Sequence, residues 1–303
     1  MKRVLVTGAT GFVGRHVVPA LAERGFEVHA AGRTTLPLEG VAWHPVDLLD
    51  GPSPAEVVRA VEPTHLLHLA WYAEHGRFWE APENLDWVAA SMRLLRAFAD
   101  AGGRRLVVAG TCAEYDWSDD CCTPSTPLRP ATLYGTCKNS LRQIVGAYAA
   151  TAGLSTAWGR IFFTFGPGEP SERLIASVAR ALVTGASVAC TTGTQVRDFL
   201  YVEDLADALA ALLESDVEGT LDLGSGEPRT LREILERLEL LAGRRDVARF
   251  GQLPQRAEAA RIVADVGRLR DEVRWQPRHG LDEGLARTLA WWSTDSHLEA
   301  GSR

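Results

Sequence analysis

Lysine is almost absent from this sequence of 303 residues: Lys2 and Lys138 are the only two, against 30 arginines. Cysteine is scarce as well, and its five residues, two of them adjacent at Cys121 and Cys122, do not make a disulfide framework. The simplest expectation is a reducing compartment, which we take to be the cytoplasm. Because arginine serves wherever a generic cation suffices, the lysine at position 138 requires an explanation of its own.

The sequence also lacks the marks of membrane and nucleic-acid-binding proteins. No apolar run is long enough to span a bilayer, and the chain does not begin with the apolar stretch of a signal peptide. The net charge of −7 leaves no basic stripe that could hold a phosphodiester backbone. We therefore expect neither a membrane nor a nucleic acid as partner.

Spacings typical of metal sites and of serine hydrolases are missing too. The cysteines and histidines show no CxxC or HxxxH pattern, and no serine stands in a G-x-S-x-G elbow. His65 and His68 alternate along an apolar run, where a structural role is the better interpretation. We expect no metal.

Short apolar runs rich in β-branched residues alternate with amphipathic helical stretches in the first half of the chain. The runs are KRVLVTG, EVHAAG, VAWHPVD, HLLHLA, RRLVVAG and STAWGRIFF. This rhythm is typical of βαβ units, so the fold class is α/β with a doubly wound parallel sheet.

The pattern changes after residue 165, where helix-rich segments with scattered short strands follow. We expect residues 1–165 to form a nucleotide-binding domain, to which 196–218 returns. Residues 166–195 and 219–303 are expected to form a smaller C-terminal α/β lobe that binds the substrate.

Three glycines, Gly8, Gly11 and Gly14, lie between the first strand and the first helix, in TGATGFVGRH. The first allows a tight turn, the second lets the backbone approach a pyrophosphate, and the third permits close packing of helix on sheet. The helix then directs its unpaired N–H groups and its dipole toward the phosphates. Their place after a strand and before a helix makes this a dinucleotide-binding, Rossmann-type signature.

Further motifs follow in order: HLAW at 68–71, GTCAEY at 110–115, TLYGTCK at 132–138, GRIFFTFGPG at 159–168 and TQVRDFLYVED at 194–204. With the G-x-x-G-x-x-G spacing, they make the chain resemble the extended branch of the short-chain dehydrogenase/reductase family over roughly residues 3–290. The resemblance implies an NAD(P)-dependent oxidoreductase acting on a nucleotide-linked sugar, and often a homodimer.

The turn after the second strand bears on the choice of cofactor. It reads Gly32-Arg33-Thr34-Thr35, without the acid that usually binds both ribose hydroxyls of NAD. Arg33 can pair with a 2′-phosphate, and Arg15 could approach the same group, so we favour NADP(H) over NAD(H). The alternative is that both arginines are solvated surface cations.

The resemblance implies a larger set of cofactor contacts, in which Asp47 would hold the adenine amino group unless it merely caps a turn. The full set is Gly8, Thr10, Gly11, Phe12, Val13, Gly14, Arg15, Arg33, Thr34, Asp47, Leu48, Leu69, Ala70, Tyr134 and Lys138.

Tyr134 and Lys138 stand four residues apart, one helical turn, so both can converge on one ligand. The ammonium and the nicotinamide charge would lower the pKa of the phenol and make it a proton donor or acceptor near neutrality. Thr111, at the end of the fifth strand, matches the hydroxyl residue that completes the family's catalytic set. Its hydroxyl would orient the carbonyl, although a threonine bonding its own backbone is the alternative.

Several positions depart from the family pattern. Members that dehydrate nucleotide sugars carry Asp and Glu where this chain has Cys112 and Ala113, so 4,6-dehydration is disfavoured. Phe163 replaces the usual asparagine and Trp71 the usual alanine, which implies a bulkier, less polar pocket. The substrate contacts implied by the resemblance are Trp71, Cys112, Phe163, Arg197, Arg256 and Arg261.

Three functions are compatible with these residues. The first is an NADPH-dependent reductase of a nucleotide-linked 4-keto-(deoxy)sugar, in which Tyr134 protonates the oxygen. The second is a nucleotide-sugar 4-epimerase, and the third a non-catalytic NADP-sensing protein. The NADP-like turn favours the reductase, and the intact Thr111, Tyr134 and Lys138 make sensing the least favoured.

Overall fold

The computed structural model of the chain describes residues 2–36, 38, 40–118, 122–123, 125–255 and 259–294. Two residues named above, Cys121 and Arg256, lie outside the described residues. None of the helices within these ranges is long and apolar enough to cross a membrane.

Short strands recur along the described chain. They are β1 (Arg3–Thr7), β2 (Glu27–Gly32), β3 (Val41–Pro45), β4 (His65–His68), β5 (Arg105–Thr111), β6 (Ser155–Ile161), β7 (Phe163–Phe165), β8 (Val188–Ala189), β9 (Val196–Tyr201), β10 (Gly219–Leu223), β11 (Pro228–Thr230), β12 (Ala248–Arg249) and β13 (Arg261–Ile262).

Helices separate most of these strands. They are α1 (Gly14–Glu23), α2 (Ser53–Val61), α3 (Glu83–Asp100), α4 (Leu133–Ala152), α5 (Leu174–Thr184), α6 (Val202–Glu214), α7 (Leu231–Leu241), α8 (Gly267–Asp271) and α9 (Leu281–Trp292), with a 3₁₀ turn over Cys112–Glu114.

Seven parallel strands form the central sheet, in the order β10-β6-β5-β4-β1-β2-β3. Successive side chains of a strand point to opposite faces, so Val4 and Val6 join the apolar core that α1 and α6 cover. Leu5, between them, joins the core under α2, α3 and α4 on the other face. The chain order of the strands reverses about β1, which confirms the predicted Rossmann-type doubly wound α/β fold.

A second lobe is built on the sheet of β11, β9 and β13, to which β7 adds beside β9. Its core lies among α5, α7 and α9, around residues such as Ile175, Leu235 and Leu285. Three strands lie elsewhere than in the predicted division. Strands β7 and β9, predicted with the first domain, pair with each other in this second sheet. Strand β10, predicted with the smaller lobe, pairs with β6 and so completes the central sheet. The division into two domains itself stays a prediction.

Candidate active site

The glycine loop closes tightly on the loop that follows β4. Gly8 has a φ of +75°, and a Cβ there would lie 2.7 Å from the backbone nitrogen of Ala70. A Cβ on Gly14 would lie 2.1 Å from the carbonyl oxygen of Gly8. The N-terminus of α1, with the positive end of its helix dipole, lies at this loop, so the cradle fits a dinucleotide pyrophosphate. The predicted contacts Leu69 and Ala70 lie directly against it.

The predicted NADP turn is solvent-exposed at both Arg33 and Thr34. Arg15 points elsewhere: its guanidinium donates to the carbonyl oxygens of Gly11 and Thr10, at 3.4 and 3.2 Å, and lies against the loop at Gly168. In this arrangement Arg33 is the cation that the turn itself presents to solvent.

Asp47 and Leu48 follow β3 with contrasting exposure. Asp47 is exposed, and its Oδ1 accepts the N–H of Leu49 at 3.0 Å. Leu48 is buried. Asp47 therefore caps the turn in this structure, which is the alternative role given for it above. Its contact with the adenine amino group stays a prediction.

Tyr134 and Lys138 lie on the first two turns of α4. The helix begins where the Oγ1 of Thr132 accepts the N–H of Gly135 at 3.1 Å, and the N–H of Tyr134 donates to the carbonyl oxygen of Trp79 at 3.0 Å. Lys138 is buried, and its Nζ donates to the carbonyl oxygen of Ala109 at 2.9 Å. One face of the helix thus presents both side chains to the end of β5.

Thr111 is buried at the end of β5, and its side chain lies close enough to the phenol of Tyr134 to lower the pKa of that group. Its Oγ1 also accepts the N–H of Ala113 at 3.2 Å, so the local backbone bond foreseen as an alternative is present as well. The structure thus places Thr111 beside Tyr134, with Lys138 one turn further along α4 and bonded to β5.

Glu114 is a site residue that the sequence reasoning missed. It is completely buried, and its Oε1 accepts from the N–H of Thr111 at 2.9 Å and from the Nε1 of Trp158 at 2.8 Å. Its Oε2 accepts from the Nε of Arg160 at 2.8 Å. Thr111 and Glu114 form a capping box, and the T-x-x-E spacing is the signal that could have identified it.

Arg160 extends this buried network below the turn. It donates to the hydroxyl of Tyr115 at 3.1 Å, and that hydroxyl donates to both oxygens of Asp222 at 3.0 Å. Burial raises the pKa of Asp222 to about 7. A satisfied polar network of this kind holds the backbone at the end of β5 in one conformation.

The protonation states differ from the expectation. Burial, the largest effect, raises the pKa of Tyr134, although the hydrogen bond from Thr111 and the charge of Arg173 lower it. Burial lowers the pKa of Lys138 to about 7, opposed by the charge of Glu114. The phenol therefore carries its proton at neutral pH, and Lys138 is a weaker cation than the spacing argument assumed.

Aromatic rings enclose Tyr134. The rings of Phe78 and Trp79 meet it edge to face, with centroids 4.9 and 5.9 Å away, and Trp117 meets Trp79 at 6.1 Å. Phe78 and Trp79, from the segment between β4 and α3, thus line the site rather than the core. The ring of Trp71 lies over the Nζ of Lys138, 3.9 Å from the ring centroid.

The predicted substrate residues continue toward the second lobe. Cys112 is buried, and burial raises the pKa of its thiol. The ring of Phe163 packs at a tilt against that of Phe199, with centroids 5.5 Å apart, and the guanidinium of Arg197 lies 5.6 Å from the Phe163 ring centroid. Arg197 is itself buried and donates to the carbonyl oxygen of Val196 at 2.9 Å.

Two further arginines, Arg256 and Arg261, belong to the predicted substrate contacts. Arg261 lies on β13, directly opposite Val196 of β9, whereas Arg256 lies outside the described residues. Asp198, which follows Arg197 in sequence, accepts the N–H groups of Ser225, Gly226 and Ala264.

Arg173 is a second residue missing from the predicted site. It precedes α5, its Nε pairs with Glu169 at 3.2 Å, and its guanidinium lies 5.6 Å from the ring centroid of Phe12 in the glycine loop. Its charge acts on Tyr134. It therefore relates the glycine loop to Tyr134, a relation that only the folded chain creates.

His68 has a structural role, as its alternation with His65 predicts. It is buried between the hydroxyls of Thr7 and Ser91, at 2.7 and 2.8 Å, and burial lowers its pKa to about 3. Among the described residues, no group of three His, Cys, Asp or Glu side chains could hold a metal ion.

A cleft of about 450 Å³ opens in the second lobe. It is lined by Leu174, Cys190, Gln195, Leu235, Phe250 and Leu253, among others. Leu174, which lines this cleft, follows Arg173 directly in the chain.

Comparison with known proteins points to one group. A model of the NAD dependent epimerase/dehydratase family matches residues 4–224. A UDP-glucose 4-epimerase of Azospirillum brasilense is 27% identical, over 99% of this chain and 94% of that protein. A dTDP-6-deoxy-L-talose 4-dehydrogenase (NAD(+)) of Aggregatibacter actinomycetemcomitans is 27% identical, over 77% of this chain and 88% of that protein.

The fold has counterparts among solved structures. The crystal structure of the Thermus thermophilus UDP-glucose 4-epimerase in complex with NAD superposes with a TM-score of 0.84 at 28% identity. The match covers 97% of this chain and 99% of that one.

Proposed function

Since the chain belongs to the NAD dependent epimerase/dehydratase family, we propose that it reduces a nucleotide-linked 4-keto-(deoxy)sugar with NADPH. The membership confirms the predicted resemblance to the extended short-chain dehydrogenases/reductases, and with it an enzyme that depends on a nicotinamide dinucleotide. The observation that carries the proposal is the contact of Tyr134 with Thr111, one helical turn from the buried Lys138.

In this mechanism each side chain has one task at the carbonyl. The bound dinucleotide supplies the hydride. Tyr134 donates its phenol proton to the oxygen that becomes negative as the new C–H bond forms. Thr111 donates a hydrogen bond to the same oxygen and so fixes its position. Lys138 donates to the ribose of the cofactor and keeps a positive charge near the phenol.

Burial raises the pKa of Tyr134, so the phenol carries at neutral pH the proton that reduction of a carbonyl requires.

Dehydration is disfavoured by the residues beside Thr111. Removal of a 6-hydroxyl needs an acid and a base near C5 and C6, and Cys112 and Ala113 stand where the family's dehydratases carry them. Burial raises the pKa of the Cys112 thiol, which makes it a poor base. Glu114, the nearest carboxylate in sequence, is committed to Thr111, Trp158 and Arg160.

NADP(H) is proposed over NAD(H) because of the turn after β2. Arg33 is exposed there and no carboxylate accompanies it, so a 2′-phosphate meets a cation instead of a repelling charge. For the substrate, we place the nucleotide in the cleft of the second lobe, with Arg197 and Arg261 near its diphosphate.

The reductase is tested with purified protein, NADPH and a panel of 4-keto-6-deoxy sugars linked to dTDP, UDP, CDP or GDP. We expect one equivalent of NADPH to be consumed per sugar reduced at C4, followed by nicotinamide absorbance and by NMR of the product. A protein that retains a bound nicotinamide and consumes no NADPH with any member of the panel would sink the proposal.

A 4-epimerase is the second candidate, favoured by the similarity to two UDP-glucose 4-epimerases at 27% and 28% identity. A 4-epimerase would interconvert a nucleotide sugar and its 4-epimer without added cofactor. NMR of the nucleotide sugar detects this interconversion directly. The reductase is instead supported by the similarity to a dehydrogenase that acts at C4 of a dTDP-linked 6-deoxy sugar.

We also propose that two chains pair through α3 and α4, which pack side by side. Leu85 and Met92 on α3 and Ile144 on α4 are exposed, the first by 58%. We expect analytical ultracentrifugation to give a dimer, and Ile144→Glu to shift it to a monomer. Leu240→Glu, which changes an exposed leucine of α7, is the control and should leave the dimer intact. A monomeric wild-type protein contradicts this proposal.

A further inference from the structure

The ring of Trp71 covers the ammonium of Lys138, which has few other stabilising contacts. The Nζ of Lys138 lies 3.9 Å from the ring centroid, and its hydrogen bond within the described protein goes to the carbonyl oxygen of Ala109. Lys138 is only 3% exposed, so water does not replace the missing partners. A buried ammonium with one hydrogen bond is costly, and the π face of an indole offsets part of that cost.

Trp71 is itself held in a single orientation. Its Nε1 donates to the Oδ1 of Asn84 at 2.8 Å. Asn84 is completely buried, and its Nδ2 donates to the carbonyl oxygens of Phe78 and Ala81, both at 2.8 Å. The amide at the start of α3 thus determines where the indole face points, and the indole face determines where the ammonium lies.

We propose that Trp71 is a positioning residue, whose ring face holds the charged ammonium of Lys138 ready to receive the ribose of the cofactor. The family pattern has an alanine at this position, so the arrangement belongs to this chain. The inference rests on the role of Lys138 in the proposed function, and it concerns cofactor binding rather than the reaction. What matters in it is the π face of the ring and not its bulk.

The charge of Lys138 makes cofactor binding depend on pH. A purely structural role of Trp71 would not change that pH dependence. The groups facing it are Glu114, whose charge raises its pKa, and His68, whose low pKa leaves it neutral, together with Tyr134 on the same helix. In the free protein the pKa of Lys138 is about 7. A ribose that accepts from the ammonium raises it, so binding above pH 7 takes up a proton and weakens as the pH rises.

The test compares Trp71→Phe, which keeps an aromatic face but loses the Nε1 donor to Asn84, with Trp71→Leu, which loses both. Isothermal titration calorimetry with NADPH, and separately with NAD⁺, gives the Kd for each variant. We expect Trp71→Phe to bind about threefold more weakly than wild type and Trp71→Leu about tenfold more weakly than wild type. Titration in two buffers of different ionisation enthalpy should show proton uptake by Trp71→Leu beginning at lower pH than in wild type.

Equal binding by the two variants, or wild-type binding by Trp71→Leu, overturns the proposal. Trp87→Leu, whose ring lies 6.3 Å from that of Trp71, is the matched control and should bind the cofactor unchanged. Thermal unfolding checks each variant, and Trp71→Met replaces the leucine variant if that one does not fold. In a Lys138→Met background the difference between phenylalanine and leucine should vanish.

No sugar substrate enters these titrations. A protein that reduces no 4-keto sugar can therefore still confirm or overturn the role of Trp71, and an active reductase can lack it. The two proposals fail independently.

Discussion

Replacing Tyr134 with phenylalanine is expected to lower kcat about 10³-fold while leaving the affinity for NADPH nearly unchanged. The substitution removes the proton donor and little else. A phenyl ring keeps the edge-to-face contacts with Phe78 and Trp79, and the backbone contact to Trp79 does not depend on the hydroxyl. Lys138 stays buried under Trp71, so the part of the site that receives the ribose is unaltered.

The measurement is steady-state consumption of NADPH with the best substrate of the panel, beside a cofactor Kd from calorimetry. Tyr148→Phe is the matched control, because Tyr148 also lies on α4 and is half-buried but packs in the apolar core under that helix. It should turn over at the wild-type rate. Full activity of Tyr134→Phe would remove the proposed mechanism, and activity lost together with cofactor affinity would show that the phenol holds the site rather than donates a proton.

Replacing Arg33 with aspartate is expected to raise the Kd for NADPH about 100-fold, since a charge-assisted contact worth about 3 kcal/mol is lost. The new carboxylate also repels the 2′-phosphate. The same carboxylate can accept hydrogen bonds from the ribose hydroxyls of NAD, so the affinity for NAD should rise. The preference for cofactor would then invert.

Arg33 is exposed, so its contribution should weaken as salt is added, and calorimetry of both cofactors at two salt concentrations tests this. Arg245→Asp reverses the charge of another exposed arginine, beyond α7 in the second lobe, and should change neither affinity. A wild-type protein that binds NAD as tightly as NADPH would contradict the proposed preference.

Most of the central sheet could be predicted from the sequence because its signals are local. The six apolar runs of the first half became β1 to β6, and Gly8, Gly11 and Gly14 lie between β1 and α1 as their spacing predicts. Gly8 illustrates the reason, since its positive φ and its close approach to Ala70 exclude any side chain. The pairing of β10 with β6 was not predicted, because a strand at the edge of a sheet has no local sign of its partner.

The site was predictable only where its members share one helix or one motif. Tyr134 and Lys138 face the same way because 3.6 residues make a turn, and Thr111 ends a strand that the apolar pattern already locates. Arg173, Glu114 and Trp71 act through neighbours that are distant along the chain, such as Phe12, Arg160 and Lys138.

What the sequence by itself determined is the class of fold, the dinucleotide loop and the identity of the hydroxyl, phenol and ammonium groups. Only the tertiary structure decided their protonation. The pKa of Lys138 falls to about 7, and that of Tyr134 rises, because packing removes water from both groups. Desolvation depends on every element packed around a charge, among them β5, α3 and the loop after β4, and no spacing along one segment encodes it.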